Sequence, residues 1–354
     1  MLGQLALLFL RLGATAFGGP AAHVALMEDE VVRKRAWISR EEFLDLVAAC
    51  NLIPGPNSTE LAIHIGHRKA GWAGLLVAGA CFIFPAALIV GVIAWAYVRW
   101  GALPEVGYVL YGVKPVIIAV VAWAIWRLAR TAMRTWVLGA LAAASVAAVV
   151  AGVNELVVLL GAGVLAMAGI AGGRAIAVAP VVPLVKLFGV FAKIGAVLFG
   201  SGYVLLAFLR SDLVDRLHWL TESQLLDAIA VGQITPGPVF TTATFVGYVL
   251  DGGAGAVVAT LGIFAPAFVF VALSGPLVPR LRRSRVAGAF LDGVVVASLA
   301  LMGVVAVQLG HAALVDAPTI VIAIASLGVL VRWPNSSLLL AAGGALVGVL
   351  LHAA

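Results

Sequence analysis

The chain has 354 residues, 63% of them hydrophobic and only 11% charged, with a mean hydropathy of +1.14. A soluble domain carries roughly a quarter charged residues, so this composition excludes one and points to a polytopic membrane protein. The net charge of +6 is the kind that holds cytoplasmic loops in place and implies no nucleic-acid partner. Cys50 and Cys81 lie inside apolar stretches, and the six histidines show no ligand spacing, so neither a disulfide framework nor a metal site is expected.

In chain order, a long apolar span is expected from about Leu5 to Val32. Leu2 to Phe17 resembles a signal-peptide core, with Ala14-Thr15-Ala16 as a cleavage-like site. However, Arg11 interrupts it and the same element recurs in mid-chain, so it reads as a retained part of the fold. A short amphipathic helix follows at Arg40 to Leu52, then a second at Asn57 to Lys69, hinged on Pro54-Gly55-Pro56. Spans near 72–98, 105–131, 135–152 and 155–171 complete the first half. After a short linker around Gly172 to Pro180, the series returns near 182–214, 221–234, 239–250, 253–277, 286–309, 313–331 and 335–352. The division is 1–173 and 181–354.

The two halves are one motif repeated. Phe9 to Thr59 aligns without a gap on Phe191 to Thr241, with 15 of 51 pairs identical. Beyond the second Pro-Gly-Pro the offset falls from 182 to 181, and Gly66/Gly247, Gly71/Gly252, Pro85/Pro266 and Gly112/Gly293 still match. A twofold repeat with broken apolar helices is the signature of a secondary transporter. The two short helices cannot cross a bilayer alone, so a re-entrant hairpin is expected, with five spans per half, or seven if both short helices cross. Both counts are odd, which inverts the second half relative to the first.

Charge gives an independent test. With both termini outside, fifteen basic residues fall in cytoplasmic loops: Arg33, Lys34, Arg35, Arg40, Arg68, Lys69, Arg127, Arg130, Arg134, Arg174, Arg280, Arg282, Arg283, Arg285 and Arg332. Only Arg99, Arg210 and Arg216 fall outside. The Arg280–Arg285 run reads as an orientation signal.

Arg11, Lys114, Lys186 and Lys193 remain inside apolar segments, where an ionisable group is a functional candidate by default. Arg11 and Lys193 share one repeat position, as do the two Pro-Gly-Pro turns, Pro54-Gly55-Pro56 and Pro236-Gly237-Pro238. Inversion brings both pairs toward one pseudo-twofold axis. Each turn starts a helix whose free N–H groups and positive dipole end point inward. Asn57, Ser58 and Thr59 after the first turn, and Thr241 and Thr242 after the second, add side-chain donors. Gly18, Gly19, Gly200 and Ser201 can unwind the first spans and expose further backbone donors, or simply let helices pack closely. This pattern suits a small anion rich in acceptors. The alternative is a structural salt bridge, with Asp45 and Asp227 neutralising Arg11 and Lys193. Asp45, Asp227 and Glu60, four residues before His64, are also candidates for carrying protons. Lys114 and Lys186 lack basic repeat partners and read as snorkelling or local.

At these residues the chain resembles the chromate ion transporter family, the CHR superfamily, in its long two-domain form. The resemblance rests on Phe17-Gly18-Gly19-Pro20, Trp37, Asn51-Leu52-Ile53-Pro54-Gly55-Pro56-Asn57, Phe199-Gly200-Ser201-Gly202 and Gln233-Ile234-Thr235-Pro236-Gly237-Pro238. It departs in length, short for the long form, and in Gly-Ser-Gly where the first half has Gly-Gly-Pro. It implies an inner-membrane carrier that exports chromate, with sulfate as the look-alike substrate and no cofactor. A homodimer and a coupling proton stay open. An intramembrane hydrolase using Asp45 and Asp227 and a passive anion channel are the alternatives of other classes.

Overall fold

The computed structural model describes the chain except for 163–183, 199–204, 275–284 and short stretches at 18, 51–52, 102, 134, 152, 154–156, 160, 334–335 and 354. The linker, most of the span expected at 155–171, Gly18, Gly200, Ser201 and most of the Arg280–Arg285 run therefore lie outside the described residues. The described elements are helices: α1 Leu2–Thr15, α2 Gly19–Glu28, α3 Arg40–Cys50, α4 Asn57–Trp100, α5 Pro104–Ala132 and α6 Trp136–Val150 in the first half. The second half has α7 Leu184–Val197, α8 Leu205–Leu209, α9 Glu222–Ile234, α10 Thr242–Ser274, α11 Arg285–Ala313, α12 Ala317–Arg332 and α13 Ser337–Ala353. π-helical stretches, Asp29–Lys34 and Arg210–Arg216, extend α2 and α8.

The repeat is as clear in the backbone as in the sequence. The buried stripe of α1, Leu5, Leu8, Phe9, Leu12 and Gly13, recurs in α7 as Leu187, Val190, Phe191, Ile194 and Gly195. This i, i+3, i+4, i+7 spacing lines one helix face. The left-handed residues Ala36 and His218 are repeat mates. So are the irregular pairs Ala70-Gly71 and Asp251-Gly252, with matching dihedral angles.

Those irregular pairs are chain reversals. In a straight helix Gly66 and Gly74 would stand about 12 Å apart, yet a β-carbon on Gly66 would overlap the Gly74 carbonyl oxygen. Gly247 and Gly255 meet in the same way. So α4 comprises a short arm, 57–69, that folds back against a long one, 72–100, and α10 divides likewise into 242–250 and 253–274. Replacing Gly66 by leucine is expected to split this hairpin and cost about 1–3 kcal/mol, read as a lowered Tm of the purified protein.

Arg68 pairs with Glu42, and Lys69 Nζ donates to the Trp37 carbonyl at 3.3 Å. The far end of the short α4 arm therefore returns to the start of α3, with Pro54-Gly55-Pro56 at the tip of a re-entrant hairpin. Local chemistry starts each hairpin: Ser39 Oγ accepts from Glu42 N–H at the head of α3, and Thr221 and Gln224 form a capping box at the head of α9.

The expected long first span differs in the structure. α1 stops at Thr15, and Ala16 is extended. If α2 ran on, Arg11 and Glu30 would be about 28 Å apart, but they form an ion pair at 2.6 Å. Lys193 and Asp212 repeat the contact at 2.6 Å. Thus α2 folds back on α1, and α8 on α7. The break falls after Thr15, where Ala16 is extended, Gly19 and Pro20 open α2, and the ion pair closes the arms. Met1 therefore lies toward the same end of the molecule as Arg33–Arg35, whereas a crossing would have separated them.

The relative orientation of the halves is read from direct contacts. Gly79, near the start of the long α4 arm, packs on Phe268, near the end of α10. Tyr97, near the end of α4, reaches Asp227 in the second hairpin at 2.7 Å. The two hairpins therefore flank opposite ends of the same long helix. The halves are inverted. The later helices interlock: α5 packs on α12 and α13, and α6 on α11.

Candidate functional site

Each Pro-Gly-Pro tip is seated on the broken helix of the other half. Gly55 N–H donates to the Leu198 carbonyl at 2.7 Å, and Gly237 N–H donates to the Ala16 carbonyl at 2.9 Å. Leu198 and Ala16 are repeat mates at the ends of α7 and α1. His23 adds a ring nitrogen 3.0 Å from the same Ala16 oxygen. Gly55 and Gly237 have φ of +141° and +86°, which side chains rarely adopt. A β-carbon on Gly237 would lie 2.5 Å from the Ala86 methyl and 2.8 Å from the Gly13 oxygen.

Polar residues are buried around these tips. Asn57 opens α4 behind Pro56, and Ser58, Thr59, Glu60 and His64 follow, all four buried. Thr235, Thr241, Thr242 and Thr244 are buried in the second half. There the one-residue deletion is absorbed as a 3-10 turn, Val239–Thr241, before α10 begins. The Thr241 and Thr242 hydroxyls donate to the Pro238 and Val239 carbonyls, both at 2.8 Å. Their protons are thus committed to the backbone, and they do not supply the donors expected of them. Thr59 Oγ1 and both carboxyl oxygens of Glu60 are buried without a hydrogen-bond partner among the described residues.

Arg11 and Lys193 have partners other than the Asp45 and Asp227 weighed for them. Glu30 gathers Arg11 at 2.6 Å, Lys34 at 2.9 Å and Arg35 at 3.4 Å. Asp212 gathers Lys193 at 2.6 Å and Arg216 at 2.8 Å. The carboxylates are nearly inaccessible, at 6% and 5%, while Arg11 and Lys193 remain 52% and 31% exposed. Each cluster of bases around one acid braces one folded-back arm. Glu30 and Asp212 escaped the sequence reading, though their shared offset of 182 and acidic character could have found them.

Asp227 belongs to a different network. It takes Lys114 at 3.0 Å and the Tyr97 hydroxyl at 2.7 Å, and Lys114 also donates to Ser223 at 3.0 Å. Lys114, expected to be snorkelling or local, bonds α5 of one half to the re-entrant hairpin of the other. Lys186 finds a local partner, with its ammonium over the Trp219 ring. Asp45 sits on α3 of the first hairpin. Asp45 and Asp227 are each nine residues from their own Pro-Gly-Pro, on hairpins approaching from opposite ends.

An apolar cavity of about 950 Å³ opens between the long arms of α4 and α10. Phe84, Leu88, Trp95 and Leu261 line it, with the Thr244–Thr260 hydroxyl pair and Tyr248 among its few polar groups. Its walls suit acyl chains, and among the described residues no cation lines it. Among the described residues no group of histidine, cysteine and acidic side chains could hold a metal ion.

A profile of the chromate transporter family matches the chain twice, at residues 3–167 and 185–349. The chain belongs to the chromate transporter family. It is 33% identical to a chromate transport protein of Cupriavidus metallidurans, covering 99% of this chain and 93% of that protein. A probable chromate transport protein of Synechococcus elongatus is 32% identical over 92% and 89% of the two chains. A chromate transport protein of Pseudomonas aeruginosa is 29% identical over 94% and 88%. No solved structure matches. As a family member the chain is a multi-pass membrane transporter protein, and its two matched repeats are the two inverted halves.

Proposed function

We propose that this chromate transporter family member exports chromate, or a closely similar tetrahedral oxyanion, across the inner membrane by alternating access of its inverted halves. The observation that carries the proposal is the reciprocal seating of Gly55 on Leu198 and Gly237 on Ala16. It brings two helix starts and two broken helix ends to one buried polar centre, the arrangement in which carriers hold anions. Rocking one half against the other changes which end reaches this centre. The relatives named for chromate transport supply the substrate class.

The end bearing Arg33–Arg35, Arg40, Arg68 and Lys69 is the cytoplasmic one on the positive-inside rule. In this proposal the N-terminus lies on the cytoplasmic side, a reading supported by the folded-back α1, in place of the outer side expected from a crossing. A negative interior favours outward movement of a dianion by about 2.3 kcal/mol per charge per 100 mV. Arg11 and Lys193 act in this scheme as positioning residues. They hold the arms that present Ala16 and Leu198, and their exposed portions add positive charge along the approach.

Radiolabelled chromate uptake into inside-out vesicles tests the proposal. The wild type is expected to accumulate chromate, and Arg11→Gln and Lys193→Gln to lose about tenfold of the rate, equivalent to about 1.4 kcal/mol. Normal transport by both variants would remove the two basic residues from the scheme. Complete abolition by low sulfate would make sulfate the substrate. Ohmic currents without stimulation by substrate on the far side would replace the carrier with a channel.

A further inference from the structure

We propose that Glu60 is a proton-binding site linked to the anion: the Pro-Gly-Pro centre accepts a dianion while Glu60 is protonated and rejects it once Glu60 is ionised. The inference rests on the reading of the tips as an oxyanion site. Glu60 lies in the first turn of α4, three residues after the helix start at Asn57. It is wholly inaccessible, and neither carboxyl oxygen has a hydrogen-bond partner among the described residues. The carboxyl points back at the tip, since a β-carbon on Gly55 would overlap Oε1. A carboxylate so placed, with no cation or donor among the described residues, is strongly disfavoured, so this arrangement holds the neutral acid.

The position decides the sign of the linkage. The start of a helix is its positive end and the natural seat of an anion. An ionised Glu60 would occupy that field as a resident negative charge and oppose an arriving dianion. A protonated Glu60 leaves the field free and brings one O–H donor. The second half shows the neutral alternative: Thr241 and Thr242 stand there, with hydroxyls already bonded to the backbone. Only one of the two hairpins therefore carries the titratable group.

The surroundings add few competitors. Cys50 of α3 faces Glu60, and His64 follows one turn along the same helix. The clusters enclosing this turn otherwise bring Phe82 from the long α4 arm, and Ala267 and Val271 from α10. None of these three can carry charge.

Equilibrium binding of radiolabelled chromate to the full chain in lipid nanodiscs, across alkaline buffers in which chromate is wholly the dianion, tests the linkage. Wild-type affinity is expected to fall by about tenfold per pH unit above the titration of Glu60, as linkage to one proton requires. Glu60→Gln is expected to bind with a flat profile. Glu60→Thr, which copies the second half, serves equally if Glu60→Gln does not fold. Cys50→Ala is expected to keep the wild-type slope. A flat wild-type profile, or a wild-type slope in either Glu60 variant, overturns the linkage while leaving the oxyanion site standing. No wild-type binding at any pH overturns both.

Discussion

Gly237→Ala is expected to abolish chromate flux, whereas Gly71→Ala is expected to retain most of it. Both glycines have positive φ, +86° and +57°, so both substitutions carry backbone strain of about 1–3 kcal/mol. They differ in surroundings. At Gly237 the new methyl would stand 2.5 Å from the Ala86 β-carbon and 2.8 Å from the Gly13 oxygen, while nothing lies within 4 Å of Gly71. Ala86 and Gly13 belong to the opposite half, and Gly13 is itself pressed against the Phe82 carbonyl. Neither backbone can yield without moving the broken end of α1. Overpacking adds about 1–3 kcal/mol at Gly237 alone, and it falls on the hydrogen bond that joins the halves. Flux and Tm measured together separate the outcomes: Gly237→Ala with wild-type flux would show that the tips do not form the pathway.

Lys114→Gln is expected to destabilise the protein by about 3–5 kcal/mol, the usual cost of removing one partner from a buried ion pair. Asp227 is 4% exposed and Lys114 18%, so solvent screens the pair little. The loss would leave Asp227 with the Tyr97 hydroxyl. The double variant Lys114→Gln/Asp227→Asn is expected to recover much of the loss, because two amides can bond to each other without buried charge. Thermal unfolding of the single and double variants measures the coupling. Additive losses would mean that the two side chains act independently. The pair also bears on motion. Lys114 and Tyr97 have valines, Val295 and Val278, at their repeat positions, so the second hairpin is tied to the opposite half by a bond that repeat symmetry does not copy.

The Pro-Gly-Pro tips, the hairpins and the inversion were legible because a constant offset relates them, and matching residues impose matching backbone, as at Ala36 and His218. The fold-back of α2 on α1 was not legible. Hydropathy is the same whether an apolar helix continues or doubles back, and the deciding contact lies between Arg11 and Glu30, distant in sequence. Charge reversal hid another equivalence. Glu28 pairs with Arg40 in the first half, and Arg210 pairs with Glu222 at the same positions in the second. Identity scoring counts both positions as mismatches, although the bond is the same. Lys114–Asp227 was hidden for the opposite reason, since it has no repeat mate at all. The threonines after the second tip were found as residues, but their donors were not, because the deletion tightens that turn and engages the hydroxyls locally.

In the proposed mechanism the two inverted hairpin tips form one oxyanion site. A cryo-EM reconstruction of the protein in nanodiscs with saturating chromate tests it most directly. Density for a tetrahedral anion is expected between the Gly55 and Gly237 turns, beside Thr59 and Glu60. Chromate density only at the basic end around Arg33–Arg35, with the turns still bonded to Leu198 and Ala16 and nothing between them, would contradict it.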